Sequence, residues 1–377
     1  VRRSFGTSGR RVGIVSSESQ GWAPVVSGPI VVAALERVAL LAGRPRATPR
    51  RVRHDLGGGG AGLAVVCEQL DRCRPGAGWR AMAESWLAAA EAGADRPQVT
   101  APGLFGGLGG PVFAAWVLEP ERPARATAIA PRVDDPRAGP ELDLISGLTG
   151  TCTNLLGRAA DPAAGAALRA GLAVLCRSAE PGVWTRSGLA HGVAGPLALL
   201  SLAFAAGLRV NGQRAAIERL IALLGEYRQD DAWGPNWRAG ADSRAAHGSW
   251  CAGAPGIARA LWLAGDALDD EATRALAVDA LAAVLARPDR QRLVDRAPGL
   301  CHGLAGLLQV TVRFAHDTGD PRWGAAATRL TEELLVRHPT PGDAGPGLLD
   351  GAAGVILALL AATTATPPRW DRALLLA

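Results

Sequence analysis

The chain of 377 residues contains no lysine and only one methionine and one tyrosine. All 40 of its basic side chains are therefore arginines, and the formal net charge of +5 is modest. No group of arginines alternates with aromatic residues, so we expect no nucleic-acid partner, although a weakly basic surface favours an acidic peptide. Because β-branched residues in period-two alternation are nearly absent, a β-sheet is not expected.

The chain also has few cysteines, and a signal peptide is not evident. Six cysteines over this length do not indicate a disulfide framework. No apolar segment follows Arg2 and Arg3, so we expect no export and a reducing, cytoplasmic location. Residues 1–20 are predicted to be a loose tail. Residues 187–208 contain no aspartate, glutamate or arginine, but they fit the repeat described next, so no transmembrane segment is expected.

A six-residue glycine frame recurs seven times, and we call each copy a corner. The last glycines of consecutive corners lie 48, 40, 45, 61, 50 and 48 residues apart. A period of this length is typical of stacked or ring-shaped arrays of supersecondary units. In chain order the corners are Gly57–Gly62, Phe105–Gly110, Ile145–Gly150, Ala190–Gly195, Cys251–Gly256, Cys301–Gly306 and Leu349–Gly354.

Each corner is followed by an apolar, alanine- and leucine-rich run, and then by a segment with charges at helical spacing. The first kind predicts an inner helix buried on all sides, and the second an amphipathic outer helix. Seven such pairs predict an all-α protein, an α/α-toroid with about seven inner and seven outer helices in a closed ring. The corners would gather at one end, where we expect their glycines to allow positive φ and close backbone approach.

One repeat unit is irregular, because residues 117–140 carry five prolines. The third outer helix is therefore expected to be short or absent. Since the repeat is otherwise continuous, we expect residues 21–377 to form a single domain.

Two corners begin with cysteine, and the second of these has a histidine next. Cys251, Cys301 and His302 are therefore expected to converge on one metal ion, with packing or a disulfide as alternatives. The fourth corner places His191 where the sixth has His302. The alternative interpretation of His191 is a hydrogen-bonded histidine in the protein core. The other sequence features are interpreted as structural: Cys67, Cys152 and Cys176 as buried residues, and His54, His316 and His338 as surface residues.

The WCAGAPG, CHGLAG and GLAHGVAG segments, together with the sevenfold frame, resemble the lanthionine synthetase C-like family. Within it the chain is similar to stand-alone lanthipeptide cyclases, from about residue 28 onward. The resemblance implies an α/α-toroid with a catalytic zinc held by Cys251, Cys301 and His302. It further implies that His191 and Asp143 are active-site residues. For Asp143 the alternative is a helix N-cap.

The family reaction is the addition of a peptide cysteine thiol to a dehydrated serine or threonine, which makes lanthionine or methyllanthionine. Zinc with three protein ligands leaves a fourth position for a substrate thiol, which binds as the thiolate. Two thiolates and one imidazole leave such a site formally neutral, which favours sulfur addition over water activation. His191 suits protonation of the enolate, and Asp143 either orients that imidazole or accepts the thiol proton.

The chain departs from the family pattern next to the first zinc cysteine. Many relatives have an arginine four residues before it, where this chain has His247, with Arg244 nearby. Either residue is a candidate for that role. The expected partners are a dehydrated precursor peptide, a separate dehydratase and an exporter complex at a membrane. Two other functions stay open: a glutathione- or thiol-handling protein of the same family, and a noncatalytic helical scaffold with a structural zinc.

Overall fold

The computed structural model describes residues 21–43, 53–95, 101–121, 142–240, 248–292, 298–338 and 345–377. These residues contain fourteen α-helices, one 3₁₀ helix and three isolated β-bridges. In chain order the α-helices are α1 (Ile30–Leu41), α2 (Gly60–Cys73), α3 (Trp79–Ala94), α4 (Gly109–Leu118), α5 (Leu148–Leu156), α6 (Pro162–Arg177), α7 (Ala194–Ala205), α8 (Gln213–Tyr227), α9 (Ala254–Leu268), α10 (Glu271–Ala286), α11 (Asp289–Arg292), α12 (Leu304–Thr318), α13 (Pro321–Arg337) and α14 (Ala352–Thr363).

An inner helix begins inside each of the seven corners. These helices are α2, α4, α5, α7, α9, α12 and α14, and every consecutive pair is in contact, including the last with the first. All residues of α14 are buried, as the apolar run predicts. The described residues therefore form the closed ring of inner helices that the sequence predicts, and the all-α toroid is confirmed.

The outer helices bury only one face each. In α13 the buried positions are Trp323, Ala326, Ala327, Leu330, Thr331 and Leu334, which form one helical stripe. The helix begins where the Asp320 carboxylate accepts the Arg322 N–H at 2.9 Å, with Pro321 in the first turn. Within the described ranges the longer outer helices are α1, α3, α6, α8, α10 and α13.

The chain closes on itself because α1, which precedes the first corner, packs against α14 and α13. The N–H groups of Val25 and Val26 both donate to the Ala362 carbonyl at 2.9 Å. The predicted irregularity at residues 117–140 falls largely on residues 122–141, outside the described ranges. The predicted tail at residues 1–20 also lies outside them.

Backbone hydrogen bonds join the corners into a closed cycle, which we call the corner ring. Each bond runs from one corner to the next around the toroid, so the first residues of all seven frames lie at one end of the molecule. The donor and acceptor pairs are Gly57 to Phe105 (3.3 Å), Phe105 to Ile145 (3.1 Å), Leu144 to Ala190 (3.0 Å), Ala190 to Cys251 (2.9 Å), Cys251 to Cys301 (3.2 Å), Cys301 to Leu349 (2.9 Å) and Leu349 to Gly57 (3.0 Å).

The last glycine of the frame explains why the frame is constant. A Cβ atom on Gly306 would fall far inside van der Waals contact with the Leu300 carbonyl oxygen, and Gly256 stands in the same relation to Trp250. Close backbone approach at the corners is thus confirmed. The expectation of positive φ there is wrong, because the positive-φ glycines of the described residues all lie outside the corners. The frame selects glycine for its lack of a side chain.

Residues 364–377, which we call the core segment, run inside the ring of inner helices. Its 3₁₀ helix spans Trp370–Leu374, and Asp371, Leu375 and Leu376 are fully buried. Side chains of the inner helices, and that of Trp250 just before the fifth corner, bind its backbone and its one buried carboxylate. These contacts join Gln69 to Thr366, Arg72 to Pro367, Arg313 to Pro368 and Asp371, Gln309 to Asp371, Trp250 to Leu374 and Arg259 to Leu376.

The residues interpreted as structural divide into two groups. Cys67, Cys152 and Cys176 are buried, as predicted, and burial raises the pKa of Cys152 to about 12. The prediction that the three histidines outside the corners lie at the surface is wrong, because each is half-buried. His316 stacks on Trp22 with ring centroids 3.7 Å apart, and burial lowers its pKa.

Candidate metal centre and active site

The fifth and sixth corners bring the three predicted metal ligands together. The Cys251 N–H donates to the Cys301 carbonyl at 3.2 Å, so the corner ring itself places the two thiols side by side. The ligand atoms of Cys251, Cys301 and His302 lie within 4.8 Å of one another. His302 Nδ1 is 3.3 Å from Cys251 Sγ. All six cysteines are free thiols, so the disulfide alternative is wrong for this pair.

The protonation states of the Cys251 and Cys301 thiols depend on each other, and a nearby cation would favour loss of both protons. The Cys301 thiol donates to Cys251, which lowers the pKa of Cys251 to about 5, and His302 and Ser249 act in the same direction. The pKa of Cys301 is raised, first because of that shared proton and then because of burial. The pair therefore loses one proton easily and the second with difficulty, unless a positive charge is nearby.

This donor set fits zinc. Two thiols and one imidazole are ligands that Zn²⁺ prefers, and the thiols must bind as thiolates. Three protein ligands also leave one coordination position for a substrate, as in catalytic zinc sites. Among the described residues no fourth histidine, cysteine or carboxylate joins this cluster.

His191 and Asp143 form a second functional pair on the neighbouring corners. His191 Nδ1 lies 2.6 Å from Asp143 Oδ2. The other oxygen, Oδ1, accepts the N–H groups of Ser146 (2.8 Å) and Gly147 (2.9 Å), just before α5 begins. Asp143 is therefore not the predicted helix N-cap, because Gly147 holds that position and Asp143 Oδ1 caps the turn before it. Its other oxygen holds the histidine. The His191 side chain is 50% exposed and that of Asp143 only 5%, so the imidazole reaches solvent and the carboxylate does not.

The corner ring connects the two pairs. The Ala190 N–H, one residue before His191, donates to the Cys251 carbonyl at 2.9 Å. A Cβ on Gly188 would lie 2.6 Å from the Ala252 Cα, so the two backbones touch. The structure thus brings the sequence-predicted site residues onto four consecutive corners at one end of the toroid. His247 and Arg244, the candidates for the missing arginine, lie outside the described residues.

Two polar residues at the site were not identified from the sequence. Ser249 Oγ lies 3.7 Å from Cys251 Sγ. Asp350 Oδ1 lies 3.4 Å from His302 Nε2. Asp350 is the second residue of its frame, the position that His191 and His302 hold in theirs. A comparison of the second frame positions would have found it.

No membrane-spanning candidate emerges from the described residues, since none of their helices combines the necessary length and apolarity.

Comparisons with known proteins agree with the fold. Nisin cyclase has a structure that superposes with a TM-score of 0.73 at 18% sequence identity, covering 92% of this chain and 97% of that one. A second similar protein is the nisin biosynthesis protein NisC of Lactococcus lactis subsp. lactis, with 25% identity over 187 residues. That match spans 46% of this chain and 43% of NisC, less than half of either protein.

The sequence model of the lanthionine synthetase C-like proteins matches residues 51–375, which include all seven corners and the core segment up to its last two residues. The residues that suggested the resemblance therefore lie inside the matched region. This chain belongs to the lanthionine synthetase C-like family.

Proposed function

We propose that the protein is a zinc-dependent lanthipeptide cyclase that adds a peptide cysteine thiol to dehydroalanine or dehydrobutyrine. The observation that carries the proposal is the cluster of Cys251, Cys301 and His302 beside an exposed histidine held by a buried carboxylate. The similarity to nisin cyclase and to NisC supports the same activity. When bound, zinc supplies a positive charge that lowers the pKa of a substrate thiol.

The chain supplies the proton chemistry. His191 Nδ1 faces Asp143, so Nε2 is the nitrogen available to substrate. In the proposed reaction, Nε2 takes the proton from the thiol. The sulfur then forms a bond to the β-carbon as the double-bond electrons move to an enolate. The proton on Nε2 passes to the α-carbon, so no proton is gained or lost overall.

Asp143 is a positioning residue in this scheme. Both of its oxygens are engaged, one by two backbone N–H groups and the other by His191. A carboxylate so occupied and buried is a poor acceptor for a substrate proton. It suits instead the stabilisation of the imidazolium that forms when His191 takes the thiol proton. These contacts support a division of roles that the sequence left open, with His191 as the proton carrier and Asp143 as its positioning residue.

The test is a cyclisation assay on a synthetic peptide that contains one dehydroalanine and one cysteine. Ring closure consumes the thiol, so alkylation followed by mass spectrometry separates cyclised from linear peptide. We expect about one zinc per chain and cyclisation faster than the uncatalysed reaction. Cys301→Ala should lose both zinc and activity while its helical content persists. Cys152→Ala, which removes a buried thiol away from the corners, is the matched control.

The same assay separates this function from the two alternatives. A peptide that has dehydroalanine but no cysteine is incubated with glutathione. Faster addition of glutathione to this peptide than ring closure of the cysteine-containing peptide would favour the thiol-handling protein. Zinc binding without acceleration of either addition would favour the structural scaffold, and would overturn the proposed activity.

A dehydrated precursor peptide as substrate implies a dehydratase that supplies it. We propose this enzyme as a partner on chemical grounds alone, since cyclisation consumes the product of dehydration.

A further inference from the structure

The seventh corner faces the metal cluster from the side opposite to His191. Within the corner ring, the Cys301 N–H donates to the Leu349 carbonyl at 2.9 Å. A Cβ on Gly299 would collide with the Asp350 Cα, so the two backbones pack directly against each other. Asp350 is thus held beside the sixth corner by main-chain contacts, independently of its own side chain.

The imidazole of His302 has different neighbours at its two nitrogens. Nδ1 lies 3.3 Å from Cys251 Sγ, on the side of the thiols. Nε2 lies 3.4 Å from Asp350 Oδ1. Because a histidine that binds a metal through one nitrogen carries its proton on the other, this arrangement makes Nδ1 the ligand atom and Nε2–H the donor.

We propose that Asp350 is a positioning residue for the metal centre, which fixes the tautomer and orientation of His302. This inference rests on the proposed zinc site. A carboxylate that accepts the second N–H of a histidine ligand makes the ligand nitrogen more basic and holds the imidazole in place. Asp350 approaches the nitrogen that faces away from the thiols, so it is not a fourth ligand. The coordination position proposed for the substrate thiol stays open.

The exposure of the pair distinguishes this role from a contribution to folding. The side chains of His302 and Asp350 are 44% and 65% exposed. Ion pairs this accessible contribute little to stability, because water screens them. Removal of the Asp350 charge should therefore leave folding nearly unchanged and act on metal affinity.

The experiment measures zinc affinity by competition with a fluorescent chelator, for the full chain and its variants. Asp350→Asn should weaken zinc binding about 10- to 100-fold, the effect typical of outer-shell partners of metal ligands. Asp350→Glu should recover part of that loss, since it restores a carboxylate. Thermal unfolding of the metal-free proteins should be the same. The matched control is Asp269→Asn, which removes the same charge from a side chain that is 94% exposed and should bind zinc as the wild type does.

Two results would overturn the inference, and they differ in what else they affect. If Asp350→Asn binds zinc like the wild type while Cys301→Ala does not, the metal centre stands and Asp350 has no positioning role. If neither substitution changes zinc binding, the ligand assignment fails and the zinc part of the proposed function fails with it. Cobalt-substituted protein gives an independent readout, because its visible spectrum reports ligand geometry without any turnover.

Discussion

Asp143 offers the sharpest test of the active-site geometry, because its two oxygens have separate tasks. Asp143→Asn keeps one carbonyl oxygen, and the two N–H groups from Ser146 and Gly147 require that oxygen to stay where Oδ1 is now. The amide NH₂ then faces His191 Nδ1. A donor at that place favours the tautomer with its proton on Nε2, which cannot accept a thiol proton.

The expected magnitudes follow from this division. Asp143→Asn retains the cap, so its free energy of unfolding should stay close to that of the wild type. Asp143→Ala removes this turn cap and leaves the Ser146 and Gly147 N–H groups without their acceptor, which should cost about 1–3 kcal/mol, the usual range for a buried hydrogen-bonding group left unpaired. Both variants lose the oriented histidine, so both should slow cyclisation by about 10²–10⁴-fold. The two substitutions thus differ in stability and agree in activity.

A matched control lies in the first corner. Asp55 holds the same place before its frame, and its Oδ1 accepts the Gly58 N–H at 2.8 Å. Its second oxygen binds Arg53 at 2.6 Å instead of a histidine. Asp55→Asn should therefore cyclise at the wild-type rate. Urea denaturation gives the stabilities, and thiol alkylation of the dehydroalanine peptide gives the rates. If Asp143→Asn also cyclises at the wild-type rate, the carboxylate is only a cap and the proposed proton path is refuted.

The remaining predictions concern the histidine, the core segment and one buried acid. His191→Asn should keep zinc and lower turnover about 10²–10⁴-fold, and an unchanged rate would make this imidazole structural. Trp250→Phe removes the Nε1–H that donates to the Leu374 carbonyl at 3.0 Å, and urea denaturation should show a loss of about 1–3 kcal/mol; no loss would mean that this bond does not hold the core segment. Burial raises the pKa of Glu68 from 4.5 to about 7, so its protonated form stabilises the fold below pH 4.5 and that contribution is lost as the pH rises through 7. Between pH 4.5 and 8 the wild type should lose about 3 kcal/mol more than Glu68→Gln, and parallel pH profiles in denaturant titrations would contradict this.

The sequence contains enough information to predict the corners, the helices and the convergence of Cys251, Cys301 and His302. The corner pattern repeats because a side chain on its last glycine would overlap the backbone: a carbonyl oxygen in six of the corners, as at Gly306, and the Leu56 nitrogen at Gly110. That steric requirement is absolute, so it leaves a periodic pattern in the sequence. Once the corners are aligned, equal positions in the frame predict equal positions in space. This equivalence predicts that Cys251, Cys301 and His302 lie together, and their ligand atoms are within 4.8 Å of one another.

The core segment left no such pattern. Five of its contacts use backbone carbonyls as acceptors, at Thr366, Pro367, Pro368, Leu374 and Leu376. Every residue type carries a carbonyl, so the identity of these residues does not report the contact. Three of the five donors are arginines on inner helices, Arg72, Arg313 and Arg259. Because the chain has 40 arginines, these three do not stand out in the sequence. His316 was misplaced for a related reason, because a stacking partner distant in sequence, Trp22, buries it.

The candidate metal-binding and active-site residues follow one another around the corner ring. Asp143 lies two residues before the third corner, and the fourth through seventh corners carry, in chain order, His191, Cys251, Cys301 with His302, and Asp350. Each corner bonds to the next through its main chain, so the relative placement of these side chains depends on backbone contacts that substitution of the side chains does not remove. This is why single substitutions at Asp143, His191 or Asp350 should change rate or metal affinity while leaving the toroid assembled. It also explains how glycine-rich corners can form a rigid site, because each flexible frame is fixed at both sides by its neighbours and the cycle has no free end.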